Sequence, residues 1–139
     1  MARADLYTQT QKKQEYFSDF LTSFDKHPIS DDVARLTNEN SVRQSIKNLV
    51  LTNYGERLYN SQIGSNVNKS LFEPYSPFTA EDLIRQISDT IKAKETRAFL
   101  HTVNVYPSPD QNYFSVNIIF SIINNPEPIT LDFILRRVK

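Results

Sequence analysis

The carboxylates that first invite a chemical reading are Glu56 and Glu73, in and just after the one loop that holds both glycines of the chain, Gly55 and Gly64. Glycoside hydrolysis needs two acids set about 5 to 9 Å apart across a cleft, one of them with a raised pKa. Nothing in the spacing of Glu56 and Glu73 enforces that geometry, and sixteen acids in 139 residues give some close pair by chance. His27 precedes Pro28 in a turn and His101 sits in a strand-like segment, so both read as structural residues. There is no His-Glu-x-x-His, Gly-x-Ser-x-Gly or phosphate-cradling loop. A chain this poor in glycine is also a poor source of anion-binding backbone nests. Without cysteine, neither a disulfide nor a thiolate metal site is possible. The expectation is a non-enzyme with no cofactor and no metal.

A second constellation is more specific. In "KAKETRAFL", Glu95 stands where a helix should end, and a negative charge at a helix C-terminus is unfavourable by a few tenths of a kcal/mol. Arg97 follows two residues later. On a helix, i and i+2 do not face each other, but in an extended chain they share a face. If the helix stops at Lys94, Glu95 and Arg97 point the same way and form an ion-pair clamp. The bland alternative is a surface salt bridge worth about 0 to 1 kcal/mol.

The elements that must hold these residues follow from periodicity. Apolar residues make up 39 % and aromatics 12 %, enough for a core in a chain long enough to bury one. Sixteen basic residues balance the sixteen acidic ones, so neither nucleic acid nor an anionic membrane is an expected partner. Tyr106 and Tyr113 flank a turn without a basic stripe, which weakens a nucleic-acid- or peptide-binding reading further. The opening residues have no signal-peptide core, and no run approaches the roughly 18 apolar residues of a membrane helix. A protein made and kept in cytosol is expected.

Residues 1–15 read as a mobile arm and 16–139 as one domain. "YFSDFLTSF" (16–24) fits either a helix or a strand, and a short extended piece at 33–36 follows. The first firm helix spans 39–51, with Asn38 as N-cap, Val42, Ile46, Leu49 and Val50 as its stripe, and Gly55 as a left-handed C-cap. After a possible helical turn at 67–72, a second firm helix spans 80–94. Thr79 is its expected cap, Glu81 and Asp82 its first turn, and Phe78 a staple onto Leu83. Leu83, Ile84, Ile87 and Ile91 form its stripe. Residues 99–106, 113–122 and 129–138 alternate as three strands joined by Pro- and Asn-rich turns. The fold class is α+β, two main helices packed on an antiparallel β-meander, with an N-terminal extended arm.

These motifs occur in an order that resembles a known family. "SVRQSIKNLVLTNYGERLYNSQIGSNVNKSLFEP" carries Leu51-Thr52, the turn Gly55-Glu56-Arg57, then Gly64, then Leu71-Phe72-Glu73-Pro74. This pattern is similar to that of contractile-tail baseplate wedge proteins, also called sheath initiators, and continues through the clamp to "IINNPEPITLDFILRR". The resemblance covers roughly residues 17–138 and favours an extended conformation for 16–24. It implies that Gly55, Glu56, Arg57 and Gly64 form a structural loop; by their position alone, Glu56 and Arg57 could pair with each other or hold the loop. It also implies that Glu95, Thr96 and Arg97 dock the subunit on the helical core of the wedge. The family has proline where this chain has Thr96, which restores an N–H and frees φ.

By the same resemblance, the C-terminal sheet templates the first ring of tail sheath by β-strand addition, with Ile134 and Arg136 on the outward face of the last strand. Implied partners are other wedge proteins and the tail sheath protein, with several copies per hexagonal baseplate. The implied location is the virion tail baseplate, after assembly in host cytoplasm. Alternatives are a lysozyme-like peptidoglycan hydrolase, since some relatives carry that label, or a baseplate subunit of a type VI-like secretion or injection machine.

Overall fold

Alternation over 113–122 makes the centre of the molecule. In the computed structural model, which describes residues 14–137, strand β4 (Tyr113–Ile122) runs between β3 (Ala98–Ser108) and β5 (Asn125–Arg136). The sheet is antiparallel throughout, in the order β3-β4-β5. Phe114, Val116, Ile118, Phe120 and Ile122 all point to the buried face. Opposite them on β5 lie Leu135, Phe133, Leu131 and Ile129, in register with residues 114, 116, 118 and 120. One face of the sheet is thus apolar by period-two alternation.

Two helices cover that face. Helix α1 (Asn38–Leu51) buries Val42, Ile46, Leu49 and Val50, and α3 (Pro77–Lys94) buries Leu83, Ile87 and Ile91. Ile84, at the edge of that stripe, packs on the core from a half-buried position. Residues spaced i, i+4, i+7 and i+8 share a helix face, so the stripes read from sequence are the stripes that pack. Short helix α2 (Val67–Ser70) adds Val67, and Leu71 follows it into the same core. Each such fully buried side chain contributes about 1.5–3 kcal/mol.

The ambiguous segment 16–24 is extended: β1 (Ser18–Phe20) pairs antiparallel with β2 (Arg35–Thr37) as a small second sheet. Residues 1–13 of the expected arm lie outside the described residues, while Gln14 and Glu15 are exposed and without regular structure.

Several details differ from expectation. Asn38 does not cap α1 with its side chain. It sits at φ 46°, and its carboxamide turns to the incoming chain, accepting from the Tyr16 and Phe17 N–H groups and donating to the Gln14 carbonyl. Fastening the β1 segment competes with capping for one amide, and here it wins. The cap of α3 is Ser76, which accepts from the Thr79 N–H at 3.1 Å, and Pro77 occupies the first turn. A proline there lacks only an N–H that has no intrahelical partner anyway, so the helix starts earlier than the Thr79 reading. Glu81 and Asp82 therefore fall beyond the first turn, and Phe78, 80 % exposed, makes no staple. The last hairpin turns tightly at Ile123 and Asn124. Strand β5 already pairs Asn125 with Ile122, but the ladder is irregular until Phe120 meets Ile129, where the prolines end.

Candidate functional site

The loop between α1 and α2 is built around its glycines. Helix α1 does not end on a glycine: Thr52 is extended (φ −82°, ψ 130°) and returns its hydroxyl to the Asn48 carbonyl at 2.7 Å. A β-branched residue bonded to its own last turn stops the helix three positions before Gly55, so the C-cap expectation fails. Gly55 (φ 84°) instead turns the loop, donating to the Ser61 carbonyl at 2.9 Å. Gly64 (φ 141°) lies where the loop closes, with Ser65 donating to the Thr52 carbonyl at 2.8 Å and its hydroxyl to the Val50 carbonyl at 2.6 Å. A Cβ on Gly64 would stand 2.7 Å from the Thr52 oxygen and 2.8 Å from Asn53 backbone atoms, while one on Gly55 would meet open space. Glu56 and Arg57 do not pair. The Glu56 carboxylate accepts the Asn53 N–H at 2.8 Å and fastens the loop, leaving Arg57 exposed and without an ion-pair partner among the described residues.

The freed Arg57 faces the second constellation. It lines a cleft of about 180 Å³ together with Ser45 and Asn48 of α1, Asp19 of β1, and Lys94 and Glu95 at the exit of α3. Helix α3 ends at Lys94, as the clamp geometry requires, and Glu95 is non-helical at φ −105°, ψ 89°. The Arg97 guanidinium then grips Glu95 through two bonds, Nε to Oε1 at 2.7 Å and Nη2 to Oε2 at 2.9 Å. Such a bidentate fork is the strong form of this pair.

The pair is no surface bridge. Glu95 is only 5 % exposed, against 31 % for the Arg97 side chain, and its Oε2 also accepts the Ser45 hydroxyl at 2.5 Å. Arg97 lies over the Phe17 ring at 5.5 Å. One ion pair thus links the α3 exit, α1 and the chain entering β1. Burial alone would push the Glu95 carboxyl up, but the bonds from Arg97 and Ser45, with the guanidinium charge, hold it below the ordinary value of 4.5. The bond to Glu95 raises Arg97 in turn. Thr96 between them is exposed.

Sequence reasoning missed Ser45 and Phe17. The signal for Ser45 was present: Ser41, Ser45 and Asn48 flank the apolar stripe of α1 at helical spacing. Phe17 carried none, because its partner is 80 residues away.

Ile134 and Arg136 lie elsewhere. Ala98, next to Arg97, pairs with Ile122 at one end of β4, whereas Arg136 pairs with Tyr113 at the other. The two surfaces are separated by nine strand residues, roughly 30 Å. Ile134 is 51 % exposed on the sheet face away from the helices, and no described residue buries it.

A family model described as "Baseplate wedge protein gp25" matches residues 37–127, well over half of the chain, spanning the loop, the cleft residues other than Asp19, and most of the sheet. The chain belongs to this family. It is similar to the baseplate wedge protein gp25 of Enterobacteria phage T4, 33 % identical over 98 residues, covering 70 % of this chain and 74 % of that protein. Among solved structures, the fold is similar to a Geobacter sulfurreducens protein described as a tail lysozyme, with TM-score 0.68, 17 % identity, and 73 % and 92 % of the two chains covered. It is also similar to chains of the anti-feeding prophage baseplate (TM-score 0.61, 17 % identity, 88 % and 87 % covered) and of the postcontracted pyocin R2 baseplate (TM-score 0.53, 20 % identity, 70 % and 93 % covered). This is a baseplate wedge protein.

The likeness to a tail lysozyme is one of fold alone at this identity. Of the wedge protein's described carboxylates, Glu95 is the buried one, and its pKa moves down. A glycosidase general acid needs a pKa that is raised. Glu56 and Glu73 are both exposed. The purified protein should therefore leave peptidoglycan intact in a turbidity assay; lysis that vanishes on Glu56→Gln or Glu73→Gln would overturn the structural assignment.

Proposed function

We propose that this subunit docks on the helical core of the baseplate wedge through the Glu95–Arg97 corner and seeds the tail sheath by lending the open edge of β5 to an incoming sheath strand. The observation that carries the second half is the edge itself. Strand β5 is twelve residues long, and among the described residues it is paired on one side only.

The phase of that edge supports the reading. The Arg137 N–H donates to the Asn112 carbonyl at 3.1 Å, so by antiparallel alternation residues 135, 133, 131 and 129 bond to β4. Thr130, Asp132, Ile134 and Arg136 keep their backbone groups toward the open side. Unpaired donors and acceptors on such an edge give affinity to an added strand, and alternate side chains give it register. Exposed Ile134 beside charged Asp132 and Arg136 is a register mark of that kind. One such edge per wedge around a hexagonal baseplate confines sheath nucleation to the baseplate, and a heterologous contact then propagates helically. Relationship to a phage T4 protein at 33 % identity favours a virion tail, assembled in the host cytoplasm, over a secretion device.

Proline at Thr130 or Ile134 removes an N–H that β4 does not use, so the isolated protein should keep its circular dichroism spectrum. Baseplates carrying either variant should assemble yet fail to start a sheath. Sheaths of normal length on these baseplates, seen by negative-stain microscopy, would sink the strand-addition mechanism.

A further inference from the structure

The tip of the loop between α1 and α2 presents two large apolar side chains to solvent. Leu58 is 86 % exposed and Tyr59 106 %. Lone exposed apolar residues are ordinary on a protein surface, but three features set this pair apart. The residues are adjacent, Tyr59 adopts φ 65°, and the loop beneath them is closed by backbone and side-chain bonds. A left-handed φ is rare for a bulky side chain and unfavourable. Below the tip, the Asn53–Ser65 bridge, the Glu56–Asn53 bond and the Asn68–Asn53 side-chain bond at 2.7 Å close the loop. Nothing in the described fold repays this arrangement, because neither side chain packs on the core and the Tyr59 hydroxyl has no hydrogen bond among the described residues.

We propose that Leu58 and Tyr59 form a preorganised anchor that inserts into an apolar pocket on a neighbouring wedge protein of different sequence. The inference rests on the docking reading above, because neighbouring Arg57 lines the same cleft as Glu95. A partner seated on that corner meets the loop tip next. A convex knob selects a concave acceptor. Tyrosine, with large area and few torsions, is enriched among residues that dominate binding energy. Arg57 supplies the polar rim, where the partner offers a carboxylate or carbonyl. Holding the loop in its bound shape beforehand removes ordering cost at association.

The test is the affinity of the full chain for the purified wedge proteins lacking it, measured for wild type, Leu58→Ser/Tyr59→Asn and Arg97→Glu. Asparagine tolerates a left-handed φ, so the double variant should melt no lower than wild type. Its affinity should fall by about tenfold to a hundredfold, as loss of two central anchors does. Unchanged affinity for the double variant with loss for Arg97→Glu would overturn the anchor and leave the docking corner standing. Unchanged affinity for both would overturn both. Sedimentation of the chain alone separates the remaining occupant: a self-associated species that the double variant abolishes would assign the pocket to a second copy and overturn the proposal as stated.

Discussion

Gly64→Ala should cost roughly 3 kcal/mol or more of folding stability and lower the melting temperature by about 10 °C, whereas Gly55→Ala should cost only about 1 kcal/mol. Both glycines have positive φ, so both substitutions bear the left-handed penalty. The difference is what a Cβ meets. At Gly55 it enters open space; at Gly64 it lies 2.7 Å from the Thr52 carbonyl oxygen. That oxygen cannot recede freely, since it accepts the Ser65 N–H that closes the loop. The Ser65 hydroxyl is bonded on the other side to the Val50 carbonyl, inside the last turn of α1. The clash is thus backbone against backbone, with the core residue Val67 just beyond it. Thermal melts of the two single variants check this, and equal losses would mean that the close approach at Gly64 relaxes at little cost.

Charge reversal at Arg97 should have the largest effect on assembly. Removing one member of a buried ion pair costs about 3–5 kcal/mol because the other charge stays buried. Since Arg97 is about a third exposed and solvent screens part of the pair, about 2–3 kcal/mol is expected for Arg97→Glu. The isolated protein should remain folded but melt lower, and under the docking proposal it should no longer co-purify with the wedge. Normal co-purification of a folded Arg97→Glu variant would reduce the pair to an internal strut. Thr96→Pro acts in the opposite direction. Glu95 is already non-helical at φ −105°, ψ 89°, near the extended region a residue before proline prefers, and among the described residues no hydrogen bond uses the Thr96 N–H. That variant should melt no lower and co-purify at least as well as wild type.

The same pair sets an acid limit. The folded-state pKa of Glu95 lies below its unfolded value, so its contribution is fully present above the ordinary carboxylate value of 4.5 and is lost as pH falls through the lowered one. Glu95→Gln should therefore be less stable than wild type at neutral pH, and the gap should narrow below pH 4.5. A gap that stays constant with pH would show that hydrogen-bond geometry, and not the carboxylate charge, holds this corner.

Much of this molecule is legible in its residues because the signals are local. The stripes Val42-Ile46-Leu49-Val50 and Leu83-Ile87-Ile91 repeat at helical spacing, and alternation from Phe114 to Ile122 fixes which face of β4 is buried. The stop of α3 at Lys94 and the common face of Glu95 and Arg97 also follow from neighbours in the chain, as does the confinement of both glycines to one loop. Each is an interaction over a few residues, where period and backbone preference act without help from the rest of the fold.

The tertiary structure decided what those residues touch. Asn38 has the side chain of a helix cap, yet it spends its amide on Gln14, Tyr16 and Phe17, because β1 returns to the start of α1. Glu95 reads as a surface acid until Ser45, fifty residues earlier, and Phe17, beneath Arg97, close over the corner. Glu56 and Arg57 could equally pair or hold the loop; the fold gives Glu56 to the loop backbone and leaves Arg57 lining the cleft. In sequence Gly55 reads as the helix C-cap and Gly64 only as a second loop glycine, yet the approach of Thr52 makes Gly64 the sterically required one. The chain alone thus determines the α+β elements and their buried faces, since these depend on periodicity. Contacts between segments decide whether a charge is buried and whether a glycine has room, because both depend on which distant groups exclude water or occupy the neighbouring space.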